Sequence, residues 1–428
     1  MSDPKPERSS GLVLPDGTIA EALYDPTSGV SAFAVRRADG SIDTVGSLKL
    51  KDRELVPNID SLVASGCVLL PSEVGHFESV EALAQEVRAF IHKYVDMPDE
   101  WNEITAYYVL FSWVYEVSTA LPYLRFLGST DTGKSRGLRT VGSLCYRPIF
   151  AGGAVTPAPI FRALEKHHGT LILDEADFRQ SDARAEVIKI LNMGYQSGFP
   201  VLRTEGDNYD VRAHRVFGPK IIATRFRFQD PALENRCLTV RMGQTRRRDL
   251  PLNLPTSFDE DARLLRNKLL TYRLKTLPTL RLPPTYLTAG LEPRLAQVLA
   301  PLMAIMPEHE TLLNLARQLQ EDVTTEQGDS LEAHVAVTLS GMYSSGQEPP
   351  SVSSVCEGVR KILVSESASQ REFGRVTPKK VGSIIREFGL KTERGPTGNR
   401  AYVIKDWRQD AIDEMVVRFG LDAQEAEA

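Results

Sequence analysis

The sequence predicts an α/β fold: a parallel sheet flanked by helices, with a small β-rich domain before it and helical segments after it. Segments of strand and helix character alternate over residues 121–248, which is the pattern of a parallel sheet with its crossover helices. A glycine-rich loop at 128–135 joins an apolar run to a helix. A second apolar run, 169–173, ends directly in acidic residues, as expected for a strand that is buried on both faces and ends at a ligand site.

Residues 1–75 are predicted to form the β-rich N-terminal domain. Short apolar stretches, such as 31–35 and 67–70, alternate with turns at 15–17 and 38–40. This alternation is typical of strands joined by tight turns. The segment contains no catalytic constellation, so assembly, DNA contact and simple packing all stay open as its role.

Residues 76–120 are predicted to be a helical linker at the start of the central module. The spacing of Leu83, Val87 and Ile91 is that of an amphipathic helix. Residues 102–117 are apolar on most sides. A helix of this kind is usually buried, so we expect it to pack against the sheet.

The loop from Gly128 to Ser135 carries the complete pattern G-x-x-x-x-G-K-S between a predicted strand and a predicted helix. In such a loop the backbone N–H groups and the helix N-terminus bind the phosphates of a nucleotide. Lys134 would contact the β- and γ-phosphates, and the Ser135 hydroxyl would bind Mg²⁺. The alternative is a glycine-rich turn with a chance lysine, and the strand–loop–helix order argues against it. The predicted ATP-binding residues are Gly128, Ser129, Thr130, Asp131, Thr132, Gly133, Lys134, Ser135 and Arg136.

Asp174 and Glu175 follow the second apolar run and would emerge at the ligand-binding edge of the sheet. Asp174 is predicted to hold the Mg²⁺, directly or through water. Glu175 is predicted to polarise the attacking water, so that ATP is hydrolysed and not merely bound. A solvated strand end is the alternative for this pair, and Asp177 is expected at most to cap the next segment. The letters D-E-A-D alone do not indicate a DEAD-box helicase, because the sequence contains no second core of that type.

Further elements complete the predicted ATPase core, 121–248. Thr156 is expected to cap a helix that runs from about residue 157 to 166. The other predicted elements are strands at 148–151, 219–224 and 236–242 and a helix at 183–194.

An insertion at 200–216 has the pattern of a β-hairpin, with a Gly-Asp-Asn turn between alternating arms. Arg203, Arg212, His214 and Arg215 lie on these arms. One interpretation is a loop that grips DNA phosphates in a central channel. The alternative is a solvated hairpin whose charges pair locally, and the acidic tip keeps both interpretations open.

The remaining segments are predicted to be mainly helical. Residues 249–345 would form a lid over the nucleotide, and 346–350 is a linker because it is rich in glycine and proline. Residues 351–408 predict a winged helix, and 409–428 an acidic C-terminal helix or tail. Within the winged helix, Thr377 followed by proline marks the start of a helix, and two short strands with a glycine-rich turn would form the wing.

The winged helix is predicted to bind duplex DNA. Residues 351–408 carry twelve Lys and Arg against six Asp and Glu, a net of +6, whereas the whole chain carries −5. A basic helix beside a basic wing suits the major groove and the backbone beside it. A protein-binding winged helix is the alternative. Val381, Ile384, Ile385 and Phe388 would face the core. The predicted DNA contacts are Lys379, Lys380, Ser383, Arg386, Arg394 and Arg400.

The composition indicates a soluble, cytoplasmic enzyme. No apolar stretch reaches the roughly 20 residues that span a membrane, and the polar N-terminus lacks the apolar segment of a signal peptide. Cys67, Cys145, Cys237 and Cys356 are scattered along the chain, which argues against a zinc site and against a disulfide framework.

Together these motifs resemble AAA+ P-loop ATPases of the superfamily-3 and MCM-like helicase group, and more narrowly the replication ATPases of plasmids, phages and integrative elements. The resemblance covers residues 102–242 well and the C-terminal segment moderately. It implies ATP and Mg²⁺ bound between the subunits of a homo-hexamer, with single-stranded DNA in the ring channel and duplex DNA at the winged helix. It also implies a replication or primase protein as a further partner, since many relatives carry a fused primase that this sequence lacks.

Residue roles follow from the same resemblance. Thr224 would be sensor 1, at a position where Asn is more usual. Arg236 would be the arginine finger that reaches the ATP of the neighbouring subunit, with Arg225 as its rival and an intramolecular salt bridge as the alternative. The hairpin would be the pre-sensor-1 insertion of the group. The candidates for sensor 2 are Arg294 and, as alternatives, Arg263 and Arg266.

The implied function is that of an ATP-dependent, ring-forming DNA translocase, a replicative helicase of a mobile genetic element. The first alternative is a DNA-bound ATPase switch that acts in recruitment or in regulating transposition and does not unwind DNA. The second alternative is an ATPase that remodels protein partners, with the winged helix as a docking module.

Overall fold

The chain divides into two units, residues 1–314 and 315–428. The first contains the β-rich domain, the central sheet and its helices, and the second contains helices and a β-hairpin. Among the described residues, no helix combines the length and the apolar character that a membrane span requires. The structure, a computed structural model, describes residues 6–152, 156–174, 182–205, 210–228, 230–282, 291, 293–306, 310–318, 331–346, 348–365, 376–394, 402–405, 407–408 and 410.

Seven short strands and one helical turn make up the described part of the N-terminal domain. They are β1 (Glu7–Ser9), β2 (Gly11–Val13), β3 (Ile19–Tyr24), β4 (Ser31–Arg36), β5 (Ile42–Val45), β6 (Leu48–Lys49), β7 (Glu54–Pro57) and α1 (Ser61–Ala64). Strands β2 to β5 form an antiparallel sheet in sequence order, and β1 pairs in parallel with β7, which also pairs with β6. Phe33 and Val35 of β4 belong to one apolar cluster with Tyr123 and Leu171 of the central sheet. The domain therefore shares its core with the sheet.

Two helices and one 3-10 turn precede the central sheet, in the segment predicted to be helical. They are α2 (Val80–Tyr94), α3 (Asp99–Ser112) and the turn Tyr115–Val117. The Ser79 hydroxyl caps α2 by accepting a hydrogen bond from the N–H of Ala82 at 3.1 Å. Ten of the fourteen residues of α3 are buried. The expectation that this helix is buried is confirmed.

The central sheet and its inserted hairpin follow the predicted alternation of strand and helix. The strands are β8 (Tyr123–Leu127), β9 (Ile149–Ala151), β10 (Leu171–Leu173), β11 (Val201–Glu205), β12 (Asp210–His214), β13 (Lys220–Thr224) and β14 (Cys237–Arg241). Five of them pair in parallel in the order β14-β8-β13-β10-β9, and β11 pairs with β12 as an antiparallel hairpin.

The carboxyl ends of the five parallel strands meet at one edge of the sheet, which we call the ligand edge. Leu127, the last residue of β8, lies opposite Thr224 of β13 and Arg241 of β14. On the far side of β13, Leu173 of β10 pairs with Ile222. The loop after β8, the residue after β10 and the end of β13 therefore come together at this edge.

Seven helices of the described residues surround the sheet or follow it, and the last of them crosses the boundary between the two units at residue 314. They are α4 (Lys134–Gly142), α5 (Pro157–His167), α6 (Asp182–Met193), α7 (Pro231–Glu234), α8 (Phe258–Thr276), α9 (Pro293–Met303) and α10 (310–318). Helix α4 packs against β8, β10 and β13, and α5 packs against β9 and the hairpin strand β12. Thr156 stands at the N-cap of α5 as predicted, although its side chain makes no capping hydrogen bond.

The second unit has its own apolar core. Its elements are α11 (Leu331–Ser344), α12 (Val352–Ser365), α13 (Pro378–Glu387), β15 (Thr392–Arg394) and β16 (Tyr402–Ile404). Leu339 of α11, Val359 of α12 and Ile385 of α13 meet in this core. Strands β15 and β16 form an antiparallel hairpin, and Ser351 adds a bridge to Val403. The sequence analysis assigned α11 to the lid, whereas α11 packs against α12 and α13.

Helix α13 begins and ends where the sequence predicts. The Thr377 hydroxyl accepts a hydrogen bond from the N–H of Lys380 at 3.4 Å, and Pro378 is the first helical residue. Gly389, with a φ of 80°, follows the C-cap. A φ in this range suits glycine. Val381, Ile384, Ile385 and Phe388 lie in or against the core as expected.

Candidate nucleotide site

The predicted phosphate loop lies at the ligand edge, between β8 and α4. Gly133, the N-cap of α4, has a φ of 83°, and Asp131 has a φ of 61°. Such a left-handed conformation costs glycine little. Gly128 packs tightly, since a Cβ there would stand 2.7 Å from Oγ1 of Thr132 and closer still to the carbonyl oxygen of Met242. The geometry therefore explains both glycines of the motif.

Two polar side chains fold back onto this loop. Lys134 Nζ and Thr132 Oγ1 both donate hydrogen bonds to the carbonyl oxygen of Ser129, the second at 2.9 Å. Lys134 is the first residue of α4, where the helix dipole and the free N–H groups favour an anion. Ser135 is exposed beside it. A phosphate at this position would give the ammonium group of Lys134 an acceptor stronger than a carbonyl oxygen.

A cleft of about 590 Å³ opens beside the loop. Loop residues 131–136 form one wall. The facing wall comes from the end of α2 and from the segment after β14, and it is mixed: Asp96, Thr245 and Arg247 line it together with the apolar Tyr94, Val95, Met242, Leu250 and Leu252. Apolar walls with a few polar groups suit a flat nucleobase. These wall residues are not predictable from the sequence, because no motif marks them and only the fold brings them to the loop.

Side chains around the cleft hold its walls in place. The ring of Tyr94 packs 5.1 Å from the rings of both Phe90 and Phe258, measured between centroids. Arg136, which was predicted to bind the nucleotide, lines the cleft, and its guanidinium donates to the carbonyl oxygens of Pro251, at 2.5 Å, and Leu252. Arg136 therefore fixes the wall that faces the loop.

Asp174 lies at the ligand edge directly after β10, as predicted. Its N–H donates to the carbonyl oxygen of Ala151 at 3.1 Å, and its side chain is partly exposed. Its position after β10 places the carboxylate on the same edge as the loop, with β13 between them. Glu175 and Asp177 lie outside the described residues, and the role of Glu175 stays a prediction.

Thr224 ends the strand between the phosphate loop and Asp174. Its carbonyl oxygen accepts a hydrogen bond from the N–H of Gly128 at 3.2 Å, so β13 is tied directly to the loop. The side chain is 1% exposed, and within the described ranges its Oγ1 makes no hydrogen bond. A buried hydroxyl without a partner is costly to a fold. Its position beside the loop suits a group that hydrogen-bonds a bound ligand.

Arg236 lies at the opposite edge of the sheet, at the start of β14. Its carbonyl oxygen accepts a hydrogen bond from the N–H of Tyr123, the first residue of β8, at 2.8 Å. The guanidinium is 3.8 Å from the ring centroid of Tyr195 and donates to Asn192, and the residue is 8% exposed. Arg236 is thus held within the molecule in this conformation. Its rival Arg225 is exposed at the ligand edge, directly after Thr224.

The three sensor-2 candidates occupy different environments. Arg294 lies in α9, and its side chain is outside the described part of the molecule. Arg263 donates to Glu260 and Ser72. Arg266 is 5% exposed and donates to the carbonyl oxygen of Ser143 at 2.8 Å, and burial lowers its pKa to about 10. None of the three lines the cleft among its described residues.

Three charged residues of the hairpin arms contact carboxylates of neighbouring helices. Arg203 pairs with Glu186, while Arg212 and His214 approach Glu165 at 3.4 Å and 2.8 Å. These contacts correspond to the local pairing that the sequence left open, and the DNA-binding role of the three residues stays a prediction. Arg215 is exposed at the base of the hairpin.

In the second unit, the predicted DNA contacts are largely exposed. Lys379, Lys380 and Arg386 are exposed on α13, and Arg394 is exposed on β15. Ser383 is partly buried and donates to Glu387 at 3.2 Å. Arg400 lies outside the described residues. The described cations on α13 and β15 are therefore accessible to a partner.

No family model and no curated protein matches the chain. Among solved structures, it is similar to the active helicase SCCmec type IV Cch, with 11% identity and a TM-score of 0.37, covering 96% of this chain and 95% of that one. It is similar to the NrS-1 C-terminal region, with 11% identity and a TM-score of 0.34, covering 90% and 96%. It is also similar to the JCV helicase, with 12% identity and a TM-score of 0.25, covering 57% and 61%. The parallel sheet flanked by helices, with its loop and cleft, is itself consistent with a P-loop NTPase core.

Proposed function

We propose that this protein is an ATP-hydrolysing, ring-forming AAA+ motor that translocates on DNA as the replicative helicase of a mobile genetic element. The observation that carries the proposal is the arrangement of the ligand edge. The phosphate loop, the Asp174 carboxylate and the buried hydroxyl of Thr224 all lie there. Binding of a nucleotide needs only the loop, whereas hydrolysis also needs groups that hold the metal and orient the water.

The residues at the ligand edge fit Mg²⁺-ATP. Gly128 lets the start of the loop pack against Met242 and Thr132, where a Cβ has no room, and the loop would hold the phosphates in this conformation. Ser135 and Asp174 would hold the Mg²⁺, which supplies Lewis-acid stabilisation of the phosphoryl oxygens when it is bound. Lys134 would neutralise the β- and γ-phosphates, Thr224 would hydrogen-bond the γ-phosphate or the attacking water, and Glu175 would orient that water.

Arg236 would complete the site of a neighbouring subunit. One strand, β14, separates it from the ligand edge of its own subunit. Five residues at about 3.3 Å each span roughly 16 Å, so its guanidinium is far from its own phosphate loop. An arginine in trans stabilises charge on the transferred phosphoryl group, and this role requires a ring of subunits. Assembly would then exchange its contacts with Asn192 and Tyr195 for the ATP of the neighbour.

The second unit would be a winged helix that binds duplex DNA. Its three helices and terminal hairpin have the order that a winged helix requires, and the exposed cations Lys379, Lys380 and Arg386 share α13. A basic helix of this kind fits the major groove, with the hairpin on the adjacent backbone. This domain would load the ring onto DNA or orient it.

A second candidate function is a DNA-bound ATPase switch that does not unwind. The observation that favours it is the pairing of Arg203, Arg212 and His214 with Glu186 and Glu165. These pairs leave fewer free cations on the hairpin to pull a strand. DNA-stimulated hydrolysis without strand separation would select this function.

The test compares ATP hydrolysis by the wild type, Glu175→Gln and Glu348→Gln, without DNA and with single-stranded or forked DNA, followed by strand separation on the fork. Glu348 is an exposed residue of the second unit, so its variant controls for loss of a carboxylate. We expect DNA-stimulated hydrolysis and unwinding in the wild type and the control, and neither in Glu175→Gln. If DNA does not change the rate of ATP hydrolysis and the fork is not unwound, the proposed DNA motor is refuted and an ATPase that remodels proteins is favoured.

A further inference from the structure

Two cavities meet where the N-terminal domain faces the base of the hairpin. The first, of about 590 Å³, lies among β1, α5 and β12, and the second, of about 800 Å³, lies among β2, the 3-10 turn and the hairpin base. Gly11 and His168 line both cavities. The two cavities are therefore adjacent in the first unit, and we call them together the hairpin groove. None of its lining residues lines the nucleotide cleft.

Three arginines of the hairpin groove have no charge partner among the residues that the structure describes. Arg8 and Arg162 line the first cavity, and Arg215 lines the second. All three are exposed, and within the described ranges none of their side chains makes a hydrogen bond or an ion pair. Other exposed arginines of the N-terminal domain are paired, as Arg37 is with Asp43 at 2.7 Å.

The carboxylates that line the groove do not neutralise these arginines. Glu7 pairs with Arg53 at 2.9 Å, and Glu116 pairs with Arg273 at 2.6 Å. Glu165, the third of the lining carboxylates, pairs with Arg212 and His214. The groove therefore keeps an excess of positive charge on a chain whose net charge is −5, and such a local excess attracts a polyanion.

An exposed aromatic ring lies at the hairpin end of the groove. Phe199, just before β11, lines the second cavity and is 54% exposed. Phe199 is therefore not one of the buried residues of the apolar core. Beside a line of cations it can serve as a platform on which an unpaired base stacks. A purely acidic peptide would leave this ring without a contact, and duplex DNA would keep its bases away from it.

We propose that the hairpin groove binds single-stranded nucleic acid, with Arg8, Arg162 and Arg215 at successive phosphates and Phe199 under a base. The site gives the N-terminal domain a nucleic-acid-binding role, which the sequence left open. It is separate from the nucleotide cleft and from α13, and binding there requires no ATP. The groove shares Arg215 with the hairpin that is predicted to grip a strand, so this proposal deepens the proposed function, on which its ligand class rests, and adds Arg8, Arg162 and Phe199 as contacts.

The test measures binding of a fluorescent oligothymidylate of about 20 nucleotides to the full chain, without nucleotide and over a series of salt concentrations. Each phosphate contact contributes about 0.7 to the slope of log K against log salt for a single strand. Arg8→Ala and Arg162→Ala should each lower this slope by about 0.7 and weaken binding. Phe199→Leu should weaken binding by roughly tenfold with the slope unchanged.

Arg37→Ala is the matched control, since it removes an exposed arginine of the same domain outside the groove. It should bind as the wild type does, and the thermal unfolding midpoint of every variant identifies any misfolded protein. The proposal would be overturned if Arg8→Ala and Arg162→Ala both bound the oligonucleotide with the affinity and the salt slope of the wild type. Tighter binding of polyglutamate than of the oligonucleotide would also overturn it. If the groove proposal failed in this way but the wild type still showed DNA-stimulated hydrolysis of ATP, the proposed function would remain supported. Groove-dependent binding by a chain that does not hydrolyse ATP would support the groove and refute the proposed motor.

Discussion

At the scale of single residues, Thr224 is the most informative side chain of the nucleotide site. The hydroxyl is buried beside the phosphate loop and forms no hydrogen bond among the described residues. A fold that keeps such a group accepts a cost, and the proposed binding of a nucleotide at the neighbouring loop would explain why. The sequence motif marks the loop, whereas only the strand order brings Thr224 next to it.

We expect Thr224→Val to lower the turnover of ATP by about a hundredfold, because it removes a hydrogen-bond donor near the reacting phosphate. The thermal unfolding midpoint should stay the same or rise, because removing this hydroxyl leaves no described protein group without a hydrogen-bond partner. Thr224→Ser, which keeps the hydroxyl, should retain most of the turnover. Steady-state ATPase assays and a thermal scan on the three proteins check this prediction. Full turnover in Thr224→Val would exclude the hydroxyl from the reaction.

Lys220 makes stability depend on pH. Its Nζ is completely buried and donates to the carbonyl oxygens of Gly194, Val216 and Gly218, at 2.9–3.0 Å. Burial lowers the pKa of Lys220 from 10.5 to about 7. Above pH 7 the unfolded chain therefore binds more protons than the folded chain, and the free energy of unfolding rises with pH through this group.

The comparison of wild type with Lys220→Met isolates this contribution. We expect the difference between their free energies of unfolding to shift in favour of the wild type as the pH is raised from about 7 to about 9. Chemical denaturation of both proteins at several pH values measures it, and the other titrating groups cancel in the difference. A difference that does not change over this range would show that the folded protein keeps the proton of Lys220.

At the scale of elements, a buried ion cluster joins three parts of the first unit. Glu21 of β3 accepts hydrogen bonds from Arg147, which precedes β9, and from Arg273 of α8, at 2.5 Å and 2.6 Å. Arg273 also pairs with Glu116 of the 3-10 turn. Although burial opposes ionisation, the two guanidinium groups hold the pKa of Glu21 below its usual value. The N-terminal domain is thereby fastened to the sheet and to α8.

We expect Glu21→Gln to destabilise the first unit by about 3–5 kcal/mol, because it leaves buried guanidinium charge without its carboxylate. Glu7→Gln breaks an exposed pair with Arg53 and should cost no more than about 1 kcal/mol. Urea unfolding followed by tryptophan fluorescence compares the two variants. Equal and small losses in both would contradict a structural role for the cluster.

The elements of the core were predictable from local pattern, and the contacts between them were not. The strand before the phosphate loop, the strand before Asp174 and the cap at Thr377 each have a local signature that the structure matches. The partners of Arg203 and Arg212 lie on α6 and α5, so pairing depends on how the hairpin folds onto these helices. The facing wall of the cleft depends in the same way on distant segments. The packing of α11 against α12 and α13 was likewise not predictable from the sequence, because its apolar residues could pack equally well in the lid or in the second unit.

At the scale of the whole molecule, the proposed arginine finger makes the active site a property of the assembly. We expect Lys134→Ala and Arg236→Lys each to lose most of their ATPase activity, and a mixture of the two to recover part of it. In the mixture, some interfaces pair an intact phosphate loop with an intact Arg236 from the neighbour. ATPase assays on the mixture and on each variant alone measure the recovery, with size-exclusion chromatography to follow the ring. Normal ATPase activity of Arg236→Lys would contradict the arginine finger and leave Arg236 with a structural role through its contacts with Asn192 and Tyr195.

The ion cluster also bears on how the chain folds as it is synthesised. Glu21 and Arg273 are 252 residues apart in the chain. Ribosomes add about 5–20 residues per second, so Arg273 emerges roughly 13–50 seconds after Glu21. During that interval Glu21 has been synthesised but Arg273 has not. Burying Glu21 in its final position at that stage would leave it without one of its two arginine partners. The N-terminal domain, although translated before the central sheet, therefore completes its docking only after that sheet and α8 have been made.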